Sequence, residues 1–363
     1  MWSMEHVVER CIQEAAAWFA SDIHFDPTPT SLDIRFRIAG QLMMYQELPL
    51  EYKDKLITYL KLQSDMDIGE RRRPQDGRFT STVNALGTIE CRTSSLPTLH
   101  GERLVLRLHG TQKQFDSLQQ LGMLPVQEQM VERFLHASHG LILITGPTGS
   151  GKTTTIYTLL QPLLQERKNI ISLEDPVEYP VAGIHQVVME TRHGFSYAEG
   201  LRALLRQDPD VIVVGEIRDE ATAHMVIRAS LTGHLVLSTM HTSSTIGALM
   251  RLRELGISPA LISNACIGII AQRLQPIPCR HHTSPECPHC KGTGVNGRRA
   301  IFEVLEVKPE LFDYMVNDAL YHRLHQWLGQ NSDFLSLDDV ANLLPDHSDA
   351  VEQLVLPLQL AGE

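Results

Sequence analysis

The sequence predicts an α/β fold: a mostly parallel sheet with helices on both faces, preceded by a smaller N-terminal α+β domain. Short apolar runs alternate with helical stretches from residue 141 onward. The first of these runs opens into a glycine-rich turn that leads into a helical pattern. Before residue 109 the strand-like segments follow one another with few helical interruptions. The length of 363 residues allows two domains, each with its own core.

In the N-terminal block, Val8, Cys11, Ile12, Ala15 and Phe19 recur at helical spacing. Alternating strands follow in SLDIRFRI and QLMMYQEL, joined by a turn at Ala39-Gly40. The stretch LPLEYKDKLITYLKLQSDM reads as helix, and GRFTSTVNA, GTIECRTSS and RLVLRLH read as strands. This sets a first domain at 1–109, a polar linker at 110–120 and a second domain at 121–363. Strands are expected at Leu141–Thr145, Asn169–Leu173, Val211–Val214 and Leu235–Ser238. A Cys/His-rich loop at 275–298 and a helical tail at 300–363 complete the second domain, with Leu311, Met315 and Leu320 as expected core.

Hydrophobic content of 43% and charged content of 21% are those of a globular protein. No apolar run approaches the roughly 18 residues that a membrane-spanning helix needs. MWSMEHVVER lacks the regions of a secretory signal, so the expected location is the cytoplasm. A net charge of −11 argues against broad attraction to nucleic acid, and the run Arg71–Arg73 reads as ordinary surface charge. Cys11, Cys91 and Cys266 stand alone in apolar surroundings, as small core residues do. Cys279, Cys287 and Cys290 are clustered, which suggests metal before disulfide.

The turn Gly146-Pro147-Thr148-Gly149-Ser150-Gly151-Lys152-Thr153, continued by Thr154, fits G-x-x-x-x-G-K-[ST]. Its glycines let successive backbone N–H groups point inward at an anion, and the following helix adds its positive end. Lys152 is expected on the β- and γ-phosphates of a nucleoside triphosphate, with the Thr153 hydroxyl on Mg²⁺. VIVV runs into Gly215-Glu216, which puts Glu216 at the carboxyl end of a core strand. There it can orient or deprotonate the attacking water, or hold a magnesium-bound water. Glu174 and Asp175 follow another strand; Glu174 is a further candidate catalytic acid, and Asp175 reads equally well as a helix cap. His234 and His241 flank LVLSTM, as structural hydrogen-bonders or as sensors of the γ-phosphate.

Taken together, GPTGSGKTT, LEDPVEY, GLRALLRQDPDVIVVGEIRDEATA and TGHLVLSTMHT resemble the Walker A, Asp box, Walker B and His box of GspE/PilB-type secretion ATPases. SDIHFDP, RPQDGRF and RTSSLPTLHGERLVLRL resemble their N-terminal phrases, and the similarity spans about residues 20 to 305. The resemblance implies a RecA-like P-loop ATPase core, ATP with Mg²⁺, a homohexamer and a polytopic inner-membrane platform protein as partner. It places the chain on the cytoplasmic face of the membrane and implies no direct nucleic-acid binding. It also implies that Arg92 and Arg107 close on the nucleotide from a PAS-like first domain, that Arg202, Arg206 and Arg218 bind the nucleotide, and that Arg298 is a further family arginine. The start almost directly at SDIHFDP is similar to the Gram-positive competence branch, which implies a DNA-uptake pilus. Type II secretion and other pilus assembly are the alternatives, and a DNA-translocating ATPase is a more distant one. Family members of the assembly type show two CxxC pairs. Here Cys287-Pro-His-Cys290 is intact and Cys279-x₂-His282 replaces the other. A Cys₃His zinc site and a metal-free remnant both fit that pattern.

Overall fold

The computed structural model describes residues 3–84, 87–109, 115, 117–189, 196–282, 287, 289–316, 320–329 and 334–344. The chain forms two compact units. Met1–Lys113 and Pro276–Arg298 belong to the first, Gln114–Gln275 and Arg299–Leu354 to the second.

The first unit starts with α1 (Met4–Ala17), whose N-cap Ser3 accepts the His6 N–H. After it come β1 (Asp22–Pro27), β2 (Ser31–Ile38), β3 (Gln41–Pro49), α2 (Lys53–Gln63), β4 (Gln75–Val83), β5 (Gly87–Thr98) and β6 (Gly101–His109). The strands make one antiparallel sheet in the order β3-β2-β1-β6-β5-β4. Ile23, Phe25, Ile34, Phe36, Leu104 and Leu106 are buried on one face, in one core with Val8, Cys11 and Ile12 of α1 and Leu56 and Leu60 of α2. The alternate residues of β1, Asp22, His24 and Asp26, are also buried. They are covered by arginines of the flanking strands: Arg107 on Asp22, and Arg35 and Arg103 on Asp26. Sequence patterning alone did not mark β1 as a strand, although it is central to the sheet.

The Cys/His-rich segment, expected within the second domain, groups instead with the first unit. Lys291 stands 5.2 Å from the centroid of the Trp18 ring, and Trp18 packs edge-on against Phe36 and Tyr45.

The second unit opens with α3 (Leu118–Leu121), α4 (Pro125–Leu135), β7 (Gly140–Thr145), α5 (Lys152–Gln165), β8 (Ile170–Glu174), β9 (Ile184–Val188) and α6 (Tyr197–Leu204). It continues through β10 (Val211–Val214), α7 (Glu220–Leu231), β11 (Leu235–Met240), α8 (Thr245–Glu254), α9 (Pro259–Ala265), β12 (Cys266–Pro278) and β13 (Val295–Glu306). The last helices are α10 (Leu311–Val316), α11 (Leu320–Gly329) and α12 (Leu337–Leu343). The sheet order is β13-β12-β7-β11-β10-β8-β9, and the pairs from β12 through β9 are parallel. Apolar side chains of the central strands feed two cores, one on each face. This is the RecA-like arrangement, and it sets every strand-end residue after β7, β8, β10 and β11 on one edge.

The tail differs from expectation. Residues 300–306 belong to strand β13, where Ile301, Phe302, Glu303, Val304 and Leu305 are buried in one unbroken run, as on a strand covered on both faces rather than along a helical stripe. Leu311 and Met315 are buried as expected, whereas the Leu320 side chain and residues 345–363 lie outside the described set. So do residues 110–114 and 116 of the expected linker, and α3 already begins at Leu118. Among the described residues no helix is long and apolar enough to cross a membrane.

Candidate active site

Residues 146–151 join β7 to α5 at the carboxyl edge of the sheet. Gly146, Gly149 and Gly151 have φ of 154°, 76° and 88°, a region that disfavours side chains. Space is also closed at Gly146, where a Cβ would lie 2.3 Å from the Gln272 carbonyl oxygen and 2.6 Å from Ser150 Oγ. Pro147, Thr148 and Gly149 form an exposed rim. Lys152 Nζ donates to the carbonyls of Gly146 (2.8 Å) and Pro147 (3.1 Å). Burial pulls its pKa below the usual lysine value, with the charge of Glu216 opposing. No carboxylate pairs with it among the described residues, and Ser150 Oγ is buried without a hydrogen-bond partner. A desolvated ammonium, an orphan hydroxyl and a cradle open only to glycine fit a bound triphosphate. Thr153 and Thr154 lie half-buried in the first turn of α5. Thr153 would hold Mg²⁺ through its hydroxyl, and Glu216 would hold it through a water.

A latch between strand ends brings the acid to the loop. The hydroxyls of Thr145 and Thr242 are 2.7 Å apart, and the Thr242 N–H donates to Thr145 Oγ1. This fixes His241, whose Nδ1 is 3.5 Å from Lys152 Nζ and whose Nε2 is 3.2 Å from Glu216 Oε2. Arg218 completes the line by pairing with the other oxygen, Glu216 Oε1. That pairing raises the Arg218 pKa. The sequence had given Arg218 to the nucleotide, and the structure gives it to Glu216.

The sequence places a glycine where many P-loop enzymes carry an aspartate, and the structure supplies a reason. A Cβ on Gly215 would meet the Tyr197 hydroxyl at 2.9 Å and the Leu173 carbonyl at 3.1 Å. Burial, then the charges of Asp175 and Glu216, raise the Tyr197 pKa and keep the phenol protonated. Glu174 is buried in its own network. Tyr157 donates to Oε2, while Ser172 (2.6 Å) and Gln186 (3.2 Å) donate to Oε1. With both oxygens engaged, it braces α5, β8 and β9 rather than joining the Lys152 line.

Other expected residues lie elsewhere. His234 precedes β11 and His241 follows it, so six strand residues, about 20 Å, separate their two sheet edges. His234 Nδ1 is 3.1 Å from the Ala229 carbonyl, a helix-end contact. Arg206 Nη1 donates to the Arg202 carbonyl, and both side chains are exposed. They follow α6 away from Tyr197 toward Gln207, whose carbonyl is held by Asn169 at the amino end of β8. The structure does not bring them to the loop of their own chain. Arg92 and Arg107 belong to the first unit and are direct cross-strand neighbours. Arg107 donates to Asp22 at 2.9 Å, and Arg92 stands 3.6 Å from Glu90. Burial lowers the pKa of Arg298, also of the first unit.

The thiols of Cys279, Cys287 and Cys290 lie within 4.8 Å of one another, and all three cysteines are free. Cys279 and Cys287 sulfurs are 3.9 Å apart, near the ~3.8 Å edge of a tetrahedron with Zn–S bonds of about 2.3 Å. His282 Nδ1 is 3.2 Å from Cys290 Sγ. The three thiols stand close enough together to hold zinc, and His282 lies beside one of them without joining the group whose donors are all within 4.8 Å of one another.

Residues 2–340 match the family described as "Type II/IV secretion system protein". The "Putative type II secretion system protein E" of Escherichia coli K12 is 44% identical over 330 residues, covering 84% of this chain and 67% of that protein. The "Type II secretion system protein E" of Pectobacterium carotovorum is 38% identical, covering 98% and 73%. Among solved structures, the Legionella pneumophila ATPase DotB gives a TM-score of 0.72 at 20% identity over 96% of this chain and 92% of its own, a likeness of fold alone. The pilus retraction motor PilT with bound ADP gives 0.61 at 26% identity, over 93% and 97%.

Proposed function

Because the chain belongs to the Type II/IV secretion system protein family, we propose that it is the ATP-hydrolysing motor of a type II secretion system. The line Lys152–His241–Glu216 at the phosphate loop carries this reading. The relatives described above are type II secretion proteins, so they favour that role over the competence pilus suggested by the sequence alone.

MgATP supplies the electrophilic terminal phosphoryl group. Lys152 exchanges its two carbonyl partners for phosphate oxygens, which also relieves its desolvation. Glu216 orients the attacking water and accepts its proton, and His241 links the state of Lys152 to that carboxylate. Arg218 neutralises Glu216 in the form described, so it must leave before Glu216 acts as a base. Arg92 and Arg107 add positive charge from the first unit, while Arg202 and Arg206 act only on a neighbouring copy. The reading therefore includes a homohexamer, working on a polytopic inner-membrane platform protein at the cytoplasmic face. Zinc at Cys279, His282, Cys287 and Cys290 orders the Cys/His segment.

ATP turnover of the full chain tests the assignment. Glu216→Gln should lower kcat by about 10²–10⁴-fold while still binding nucleotide. Lys152→Ala should lose nucleotide binding. Equal turnover for wild type and Glu216→Gln sinks the assignment. In the host, deletion should stop export of secreted enzymes, whereas loss of DNA uptake with normal export would return the role to a competence pilus.

A further inference from the structure

Gln272 is 1% exposed and touches the phosphate loop at several points. Its Nε2 donates to the Ser150 carbonyl at 2.6 Å. The same nitrogen would lie 3.4 Å from a Cβ on Gly151, and the Gln272 backbone carbonyl closes the space at Gly146. Its Oε1 is buried without a partner. A buried amide that leaves its acceptor unsatisfied is destabilising, so the donor contact has to be what retains it.

An irregularity in β12 delivers the side chain to this position. Cys266 faces Leu141 on β7 but Gly268 faces the next residue, Ile142, so Ile267 is an inserted residue. Beyond the insertion Ala271 faces Thr145 and Gln272 comes level with the loop. Without it, Ala271 would stand in that place. Gly268 permits the bulge against α4, since a Cβ there would lie 2.3 Å from the Phe134 ring.

We propose that Gln272 is a positioning residue for the phosphate loop, holding the Ser150 carbonyl outward so that the Gly151 N–H points at the bound phosphates. The reason is peptide geometry. Across a trans peptide the C=O of one residue and the N–H of the next point in opposite directions. Tying the Ser150 oxygen to β12 therefore aims the Gly151 N–H into the nest without any contact between Gln272 and the ligand. This rests on the assignment of the loop as a nucleotide site.

Nucleotide affinity of the full-length chain, measured by ADP and ATP titration, tests the role. Gln272→Met keeps the bulk and removes the donor, and should weaken both nucleotides by about tenfold, the scale of one hydrogen bond. Gln272→Glu should bind as weakly at pH 8, because a carboxylate cannot donate to a carbonyl. As the pH falls to 6 it should recover, because a carboxylic acid can donate. Gln272→Met should show no such recovery. Unfolding midpoints without nucleotide identify any variant that has lost its fold, and Gln272→His, which retains a ring N–H donor, then replaces Gln272→Met with affinity expected within threefold of wild type. Wild-type affinity in Gln272→Met, or a pH-independent deficit in Gln272→Glu, overturns the inference. A wild-type chain that binds no nucleotide overturns the function assignment instead.

Discussion

Glu303 should be a carboxylate on which the stability of the second unit depends strongly. It lies on β13 at 5% exposure, and one oxygen accepts both the Thr245 N–H (2.8 Å) and the Thr245 hydroxyl (2.6 Å). The other accepts the Leu337 N–H at 3.2 Å. Thr245 and Leu337 are the first residues of α8 and α12, so one buried charge serves two helix N-termini. Each bond to a charged group contributes about 1.5–3 kcal/mol, but the three are not additive and the Leu337 contact is long. Truncation in Glu303→Ala should therefore cost about 3–5 kcal/mol, the range for breaking a buried charged network. That corresponds to a fall in Tm of roughly 6–20 °C for a unit of this size. Glu303→Gln keeps one acceptor but turns an amide NH₂ toward a backbone N–H, and should cost about 2–3 kcal/mol. Urea unfolding followed by Trp327 fluorescence, in a background with Trp2 and Trp18 replaced by phenylalanine, reports on this unit. A loss under about 1 kcal/mol for Glu303→Ala would refute the reasoning. The same variant should weaken ATP turnover, since α8 follows the Thr242 latch that fixes His241.

Other expectations follow from single groups. Burial lowers the His24 pKa below 6.5, so the folded first unit keeps the imidazole neutral while the unfolded chain takes up a proton. Stability should be level above pH 6.5 and fall as the pH drops from there toward the folded-state pKa; His24→Gln should remove that slope from pH-dependent urea midpoints. The Lys152 pKa is likewise lowered by burial, and a bound phosphate would raise it. ADP affinity should therefore decline with rising pH below the ordinary lysine value of 10.5, and a flat calorimetric profile would contradict that ordering. Purified protein should carry about one zinc per chain by elemental analysis, falling sharply in Cys290→Ser; less than about 0.2 in the wild type would end the zinc reading.

The loop at Gly146–Thr154 was legible because its chemistry is local: glycine conformations, one lysine and one hydroxyl at fixed spacing. The apolar strands β7, β8, β10 and β11 were legible for the same reason. Asp22, His24 and Asp26 hid β1, because charged residues on a buried face look like a loop until the arginines covering them are known. His234 and His241 look equivalent along the chain, and only the length of a strand separates them. Gln272 depends on a register shift that no periodicity reveals, and Glu303 depends on two helix starts 34 and 58 residues away.

The grouping of Pro276–Arg298 with Met1–Lys113 bears on how the first unit is made. A ribosome that has released the first 113 residues has not yet supplied Lys291, the cation that caps the Trp18 indole. That face of the Trp18 ring stays uncovered until about 180 further residues have emerged, enough chain for a small domain. A fragment ended at the apparent linker would reproduce that interim state, with the face of the Trp18 ring beneath Lys291 open to water.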